Sequence, residues 1–97
     1  MLTVWKYPVP VEDEFELAIP VPARPLTVQI QDGMPYLWAL VDPDPNRLLA
    51  RRRFRLAGTG HPIEEQNDEL QYIGTFQMHG DALVFHVFWV RSASGEA

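Results

Sequence analysis

The sequence predicts an all-β domain: a small antiparallel β-sandwich or barrel of about seven strands, with little or no helix. Three observations lead there. Nine prolines and six glycines cut a chain of 97 residues into short pieces. The pieces between them are rich in Val, Ile, Leu, Phe, Tyr and Trp, which favour a pleated, half-buried surface. No window of useful length carries apolar residues at helical spacing.

In chain order, strands are expected at 2–7 (LTVWKY), 14–19 (EFELAI), 26–31 (LTVQIQ), 36–41 (YLWALV), 49–57 (LARRRFRLA), 70–77 (LQYIGTFQ) and 82–90 (ALVFHVFWV). In 26–31, Leu26, Val28 and Ile30 alternate with Thr27, Gln29 and Gln31, the pattern of a strand with one buried face. Strand 36–41 is apolar on both faces, and 82–90 nearly so. With no helix layer to cover the second face, either these strands sit centrally with some apolar atoms exposed, or they meet another subunit. A homo-oligomer is the expected outcome. The connections are short. QDGMP at 31–35 contains an Asp-Gly hairpin signal, DPDPN at 42–46 is a rigid loop, and HGD at 79–81 is a tight turn. EEQNDEL at 64–70 has room for one helical turn. A single β domain should span 1–91, and the small polar residues at 92–97 are expected to fray.

The net charge of −5 excludes general nucleic-acid binding, which needs a basic face. No secretory signal is expected, because Met1 leads into TVWKYPV without a basic start and an apolar core. No apolar run approaches the about 20 residues of a membrane helix. With no cysteine, a cytoplasmic location is the expectation, with no membrane partner.

Four groups of residues could carry chemistry. In RRRFR at 51–55, alternation puts Arg51, Arg53 and Arg55 on one face, about 6.8 Å apart, with Arg52 and Phe54 on the other. Such a stripe suits phosphate, and equally suits pairing with Glu12, Asp13, Glu14 or the acidic 64–69 stretch. GTGHPI at 58–63 has glycines that can aim N–H groups at an anion. It matches neither the dinucleotide nor the P-loop fingerprint, so it reads first as a loop and no cofactor is expected. It starts three residues after Arg55, which could bring Thr59 and His61 to a shared ligand.

The histidines form the third group. His61, His86 and His79 could supply acid and base for a metal-independent phosphodiesterase, or with Asp81 hold a metal. No HExxH or nucleophile-elbow motif is present, so a metal is not expected and a catalytic role stays the alternative. Among the eleven aromatic residues, Trp5, Tyr7 and Tyr72 are best placed to stack on a base.

Taken together, V-W-K-Y-P, V-Q-I-Q-D-G, W-A-L-V-D-P, G-T-G-H-P-I, Y-I-G-T-F-Q and L-V-F-H-V-F resemble a family of small phage and prophage proteins built on a domain of unknown function. The resemblance spans roughly residues 3–88. The RRRFR run and the WVRSASGEA end depart from it. It implies a viral setting and supplies no catalytic residues. Some small phage proteins sequester nucleotide signals of bacterial immunity as symmetric oligomers. By that resemblance the expected partner is an anionic nucleotide, a cyclic nucleotide or an ADP-ribose derivative, in the cytoplasm of an infected bacterium. The expected ligand-binding residues are Arg51, Arg53, Arg55, Thr59, His61, Trp5, Tyr7 and Tyr72. A phosphodiesterase cleaving such a signal and a module binding a host or virion protein remain the alternatives.

Overall fold

A computed structural model describes residues 1–80 and 82–91. It contains seven strands: β1 (Thr3–Pro8), β2 (Glu14–Pro20), β3 (Ala23–Gln31), β4 (Met34–Val41), β5 (Leu49–Gly58), β6 (Leu70–Met78) and β7 (Leu83–Val90). One 3₁₀ turn, Asn67–Glu69, interrupts the β5–β6 connection. No helix of the described residues is long and apolar enough to cross a membrane. Asp81 and residues 92–97 lie outside the described residues, and with them the place of Asp81 relative to the histidines and the expected fraying of the end.

The strands form two antiparallel sheets, β1-β4-β3 and β2-β5-β7-β6. Their facing sides make a sandwich core of Phe15, Val28, Leu37, Ala39, Val41, Phe54, Leu56, Ile73, Phe76 and Val87. Phe15 and Phe54 stack with ring centroids 5.1 Å apart. Full burial of a side chain such as Phe54 contributes about 1.5–3 kcal/mol. Alternation within β4 produces the inner face: Pro35, Leu37, Ala39 and Val41 are buried, while Tyr36, Trp38 and Leu40 between them are half-buried on the outside. Arg52 also points inward, with its guanidinium 5.0 Å from the centre of the Trp89 ring and its Nε without a hydrogen-bond partner among the described residues.

The connections follow their chemistry. Asp32 and Gly33, with φ of 52° and 79°, form the left-handed two-residue turn between β3 and β4. In DPDPN, Asp42 Oδ1 accepts the Asp44 N–H and Asp44 Oδ1 accepts the Asn46 N–H. Arg47 closes the loop on Asp42 Oδ2 at 2.7 Å. These contacts, the Asp44 N–H foremost, hold the Asp42 carboxyl below the usual carboxylate range. The Val21–Pro22 peptide between β2 and β3 is cis.

Two bulges change the simple alternation. The first lies between Pro25 and Thr27 on β3. It turns Leu26 out to solvent, against the expectation that Leu26 shares the core face with Val28. Ile30, expected on that same face, is also exposed. The second lies between Tyr72 and Gly74 on β6. Beyond it, Gly74 presses against β3: a β-carbon there would sit 2.9 Å from Val28 Cγ1 and 3.0 Å from Val28 N. Only a residue without a side chain lets the two sheets meet this closely at their β3 and β6 edges.

Gly74→Ala is therefore expected to destabilise the fold by about 1–3 kcal/mol, seen as a lower denaturant midpoint with an unchanged slope. An unchanged midpoint would show that the β3–β6 contact can open without cost.

Candidate functional site

The outer face of the four-stranded sheet holds most of the polar residues singled out in the sequence. They fall into two adjoining groups, both organised around β5.

The first group is a ladder of ion pairs. Arg51, Arg53 and Arg55 project outward from β5, and Glu14 and Glu16 project beside them from β2. Cross-strand neighbours are Glu16 with Arg53 and Glu14 with Arg55. The contacts are diagonal: Arg51 Nε donates to Glu16 Oε1 at 2.8 Å, and Arg53 Nη2 to Glu14 Oε1 at 3.0 Å. The diagonal shift leaves Arg55 for a carboxylate from the β5–β6 connection. Arg55 Nε and Nη2 donate to the two oxygens of Glu65, each at 2.8 Å, and Nη1 donates to the Asp13 carbonyl. The first two pairs are exposed and contribute little to stability. Arg55 and Glu65 are different, with side chains only 9% and 10% exposed. The Arg55 hydrogen bonds hold the Glu65 carboxyl below the usual range, and Glu65 raises Arg55.

In this ladder three guanidinium groups face Glu14, Glu16, Glu64 and Glu65 within 4 Å. The donors that would grip a phosphate already grip carboxylates. A phosphate here would have to displace them and would meet local negative charge.

The second group is a hydrogen-bonded chain across β6, β7 and the end of β5. Tyr72 OH lies 2.6 Å from Thr75 Oγ1, Thr75 Oγ1 lies 2.9 Å from His86 Nδ1, and His86 Nε2 lies 2.6 Å from Thr59 Oγ1. Register explains most of this. Thr75 is directly opposite His86. The Thr59 N–H donates to the Val84 carbonyl, which extends the β5–β7 ladder one step beyond β5 and carries Thr59 to the same face. The Tyr72 contact depends on the bulge. Residues 72 and 75 are an odd number apart and would point to opposite faces of a regular strand. The irregularity between Tyr72 and Gly74 rephases β6 and turns both outward.

A neutral imidazole donates from one nitrogen and accepts at the other. The chain can therefore run in either sense. In one, Thr59 gives its proton toward His86 Nε2, and Nδ1–H donates to Thr75. In the other, Nε2–H donates to Thr59, and Nδ1 accepts from Thr75. His86 is half-buried, Thr59, Thr75 and Tyr72 are exposed, and Tyr72 rests edge-on against Phe88 with centroids 5.8 Å apart.

The remaining candidates lie elsewhere. His61 turns back on β5: its N–H donates to the Gly58 carbonyl. Its ring stands about 3.1 Å from where a Gly58 β-carbon would be. It lines an open depression with Arg55, Asp13 and Glu64, so His61 and Arg55 are neighbours, as their spacing allowed. His79 is exposed at the β6–β7 turn with φ of 55°. Among the described residues no hydrogen bond joins His61 or His79 to His86. Trp5 and Tyr7 stand on β1 in the other sheet, apart from Tyr72. The Tyr7 hydroxyl is buried without a partner among the described residues, and burial raises its pKa.

Thr75 was missed in the sequence. Its signal was Gly74, since a glycine inside a strand often marks a bulge, and a bulge changes which neighbours share a face.

The model of a domain of unknown function, DUF7352, matches residues 1–96, and the chain belongs to that family. No curated protein and no solved structure matches it.

Because Glu65 has a folded pKa below its unfolded value, its pair with Arg55 stabilises the protein above the unfolded carboxylate range. That contribution is lost as pH falls through the folded pKa. Glu65→Gln should cost about 2–3 kcal/mol near neutral pH, and the gap to the unmodified protein should close in acid. Urea midpoints measured across the acid range check this. A gap that does not change with pH would assign the loss to packing.

Proposed function

We propose that this protein is a small-molecule-binding protein. Its ligand is an anionic nucleotide held on the outer face of the four-stranded sheet by Tyr72, Thr75, His86 and Thr59. One observation supports this reading most: an exposed chain of three hydroxyls and one imidazole, joined by contacts of 2.6–2.9 Å. Hydroxyls and imidazole both donate and accept, so they suit the ribose and phosphate oxygens of a nucleotide. Tyr72, 59% exposed, offers a ring on which a base can stack. The arginine stripe takes no direct part, because its donors are committed to carboxylates. The immune role follows the resemblance to phage proteins: the ligand is a cyclic nucleotide or ADP-ribose derivative made as a defence signal, and the protein removes it by sequestration.

One contact favours a second reading, cleavage of the same ligand. Thr59 Oγ1 is 2.6 Å from His86 Nε2, and Thr75 orients the other ring nitrogen. A hydroxyl, a base and an orienting group in this order make an activated nucleophile. His86 would take the Thr59 proton as the oxygen attacks phosphorus and return it to the leaving oxygen.

Incubation with a panel of cyclic nucleotides and ADP-ribose derivatives, before and after heat denaturation, separates the readings. Sequestration predicts a ligand that disappears from solution and returns intact. Cleavage predicts a new product, abolished in Thr59→Val. For a sequestered ligand, Thr75→Val and His86→Ala should each weaken binding about tenfold or more, while Arg51→Ala stays within about twofold. No depletion of any member of the panel would overturn both.

A further inference from the structure

The sandwich has four sheet edges, and they are not alike. The β3 and β6 edges close on each other, with Gly74 against the Val28 backbone. The β2 edge carries exposed Glu14 and Glu16 and ends in Pro20, features that discourage a further strand. The β1 edge is left. Among the described residues its only sheet partner is β4, and Val4 and Trp5 on it are 46% and 41% exposed.

Lys6 is the one charge on β1 that could guard this edge, and it is turned away. Its Nζ donates to Gln31 Oε1 at 2.6 Å and stands 4.5 Å from the centre of the Tyr36 ring. Both contacts lead back across β4 toward β3. A row of backbone donors and acceptors unpaired among the described residues, flanked by apolar side chains and without a free charge, is a template for another strand.

We propose that β1 pairs with β1 of a second copy, antiparallel about a two-fold axis at Trp5, to form a continuous six-stranded sheet. The sequence is self-complementary in this register. Trp5 meets the partner's Trp5, Val4 meets the partner's Lys6, and Thr3 meets the partner's Tyr7. No like charges face each other, and the two half-exposed indoles cover one another. Pro8, which has no N–H to donate, limits the pairing to Thr3–Tyr7. Val4 and Lys6 share the outer face with Leu40 and Trp38, their neighbours on β4. A substitution at Val4 therefore probes the interface without entering the core. This pairing does not depend on the proposed ligand.

Sedimentation equilibrium of the full chain tests it with two variants of opposite sign. The unmodified protein should show a monomer–dimer equilibrium. Val4→Lys puts two symmetry-related like-charge pairs across the junction and should weaken the dimer about tenfold. Val4→Glu places a carboxylate opposite the partner's Lys6 and should leave the dimer as tight or tighter. A monomer throughout the micromolar to millimolar range overturns the proposal. So does equal weakening by both variants, or an effect of neither. Should Val4→Lys fail to fold by circular dichroism, amide exchange of the unmodified protein decides. Amides of β1 that slow with rising protein concentration support the pairing, and amides indifferent to concentration overturn it.

Discussion

The paired Arg55 and Glu65 side chains fix the connection that runs beside the candidate site. The segment between β5 and β6 is the longest connection in the fold, and apart from the turn at Asn67–Glu69 it has no regular structure. It must leave β5 at Gly58 and return to the sheet at Leu70, where the Arg91 N–H donates to the Glu69 carbonyl. Between those points the bidentate contact of Arg55 with Glu65 fastens it to β5. A buried pair of this kind is costly to assemble and more costly to break, since loss of either partner strands the other charge away from water. That asymmetry favours one placement of the connection, and with it the position of His61 beside Arg55.

Given that anchor, the sheet distributes roles along β5. Arg51 and Arg53 serve a charged ladder with β2, Arg55 holds the connection, and Thr59 enters the hydroxyl–imidazole chain with β7 and β6. The same alternation that exposes these residues buries Phe54 and Leu56 in the core. One strand thus links stability to the candidate site, and the bulge on β6 completes the site by turning Tyr72 and Thr75 to one face.

Much of this was legible in the sequence. Seven strands were expected and seven are present, because prolines, glycines and the Asp-Gly step bound runs of strand-forming residues. The single helical turn also falls within EEQNDEL. The outward arginine stripe and inward Arg52 follow from alternation alone. Leu26 and Thr75 were not legible, for a common reason: each depends on a bulge, and one inserted residue reverses every facing beyond it. Nor could the sequence say which carboxylates would meet the arginines. That is decided by the diagonal contacts between β2 and β5 and by where Glu65 lands, both products of tertiary register.

In the proposed reading, ligand recognition belongs to the His86 chain and not to the arginines. Long-range proton–nitrogen correlation spectra report on imidazole nitrogens and arginine Nε groups in one sample, during titration with a nucleotide that the protein depletes from solution. Recognition by the His86 chain predicts that both His86 ring nitrogens shift on binding while the Nε signals of Arg51, Arg53 and Arg55 stay in place. Shifts in the arginine signals with His86 unmoved would contradict it.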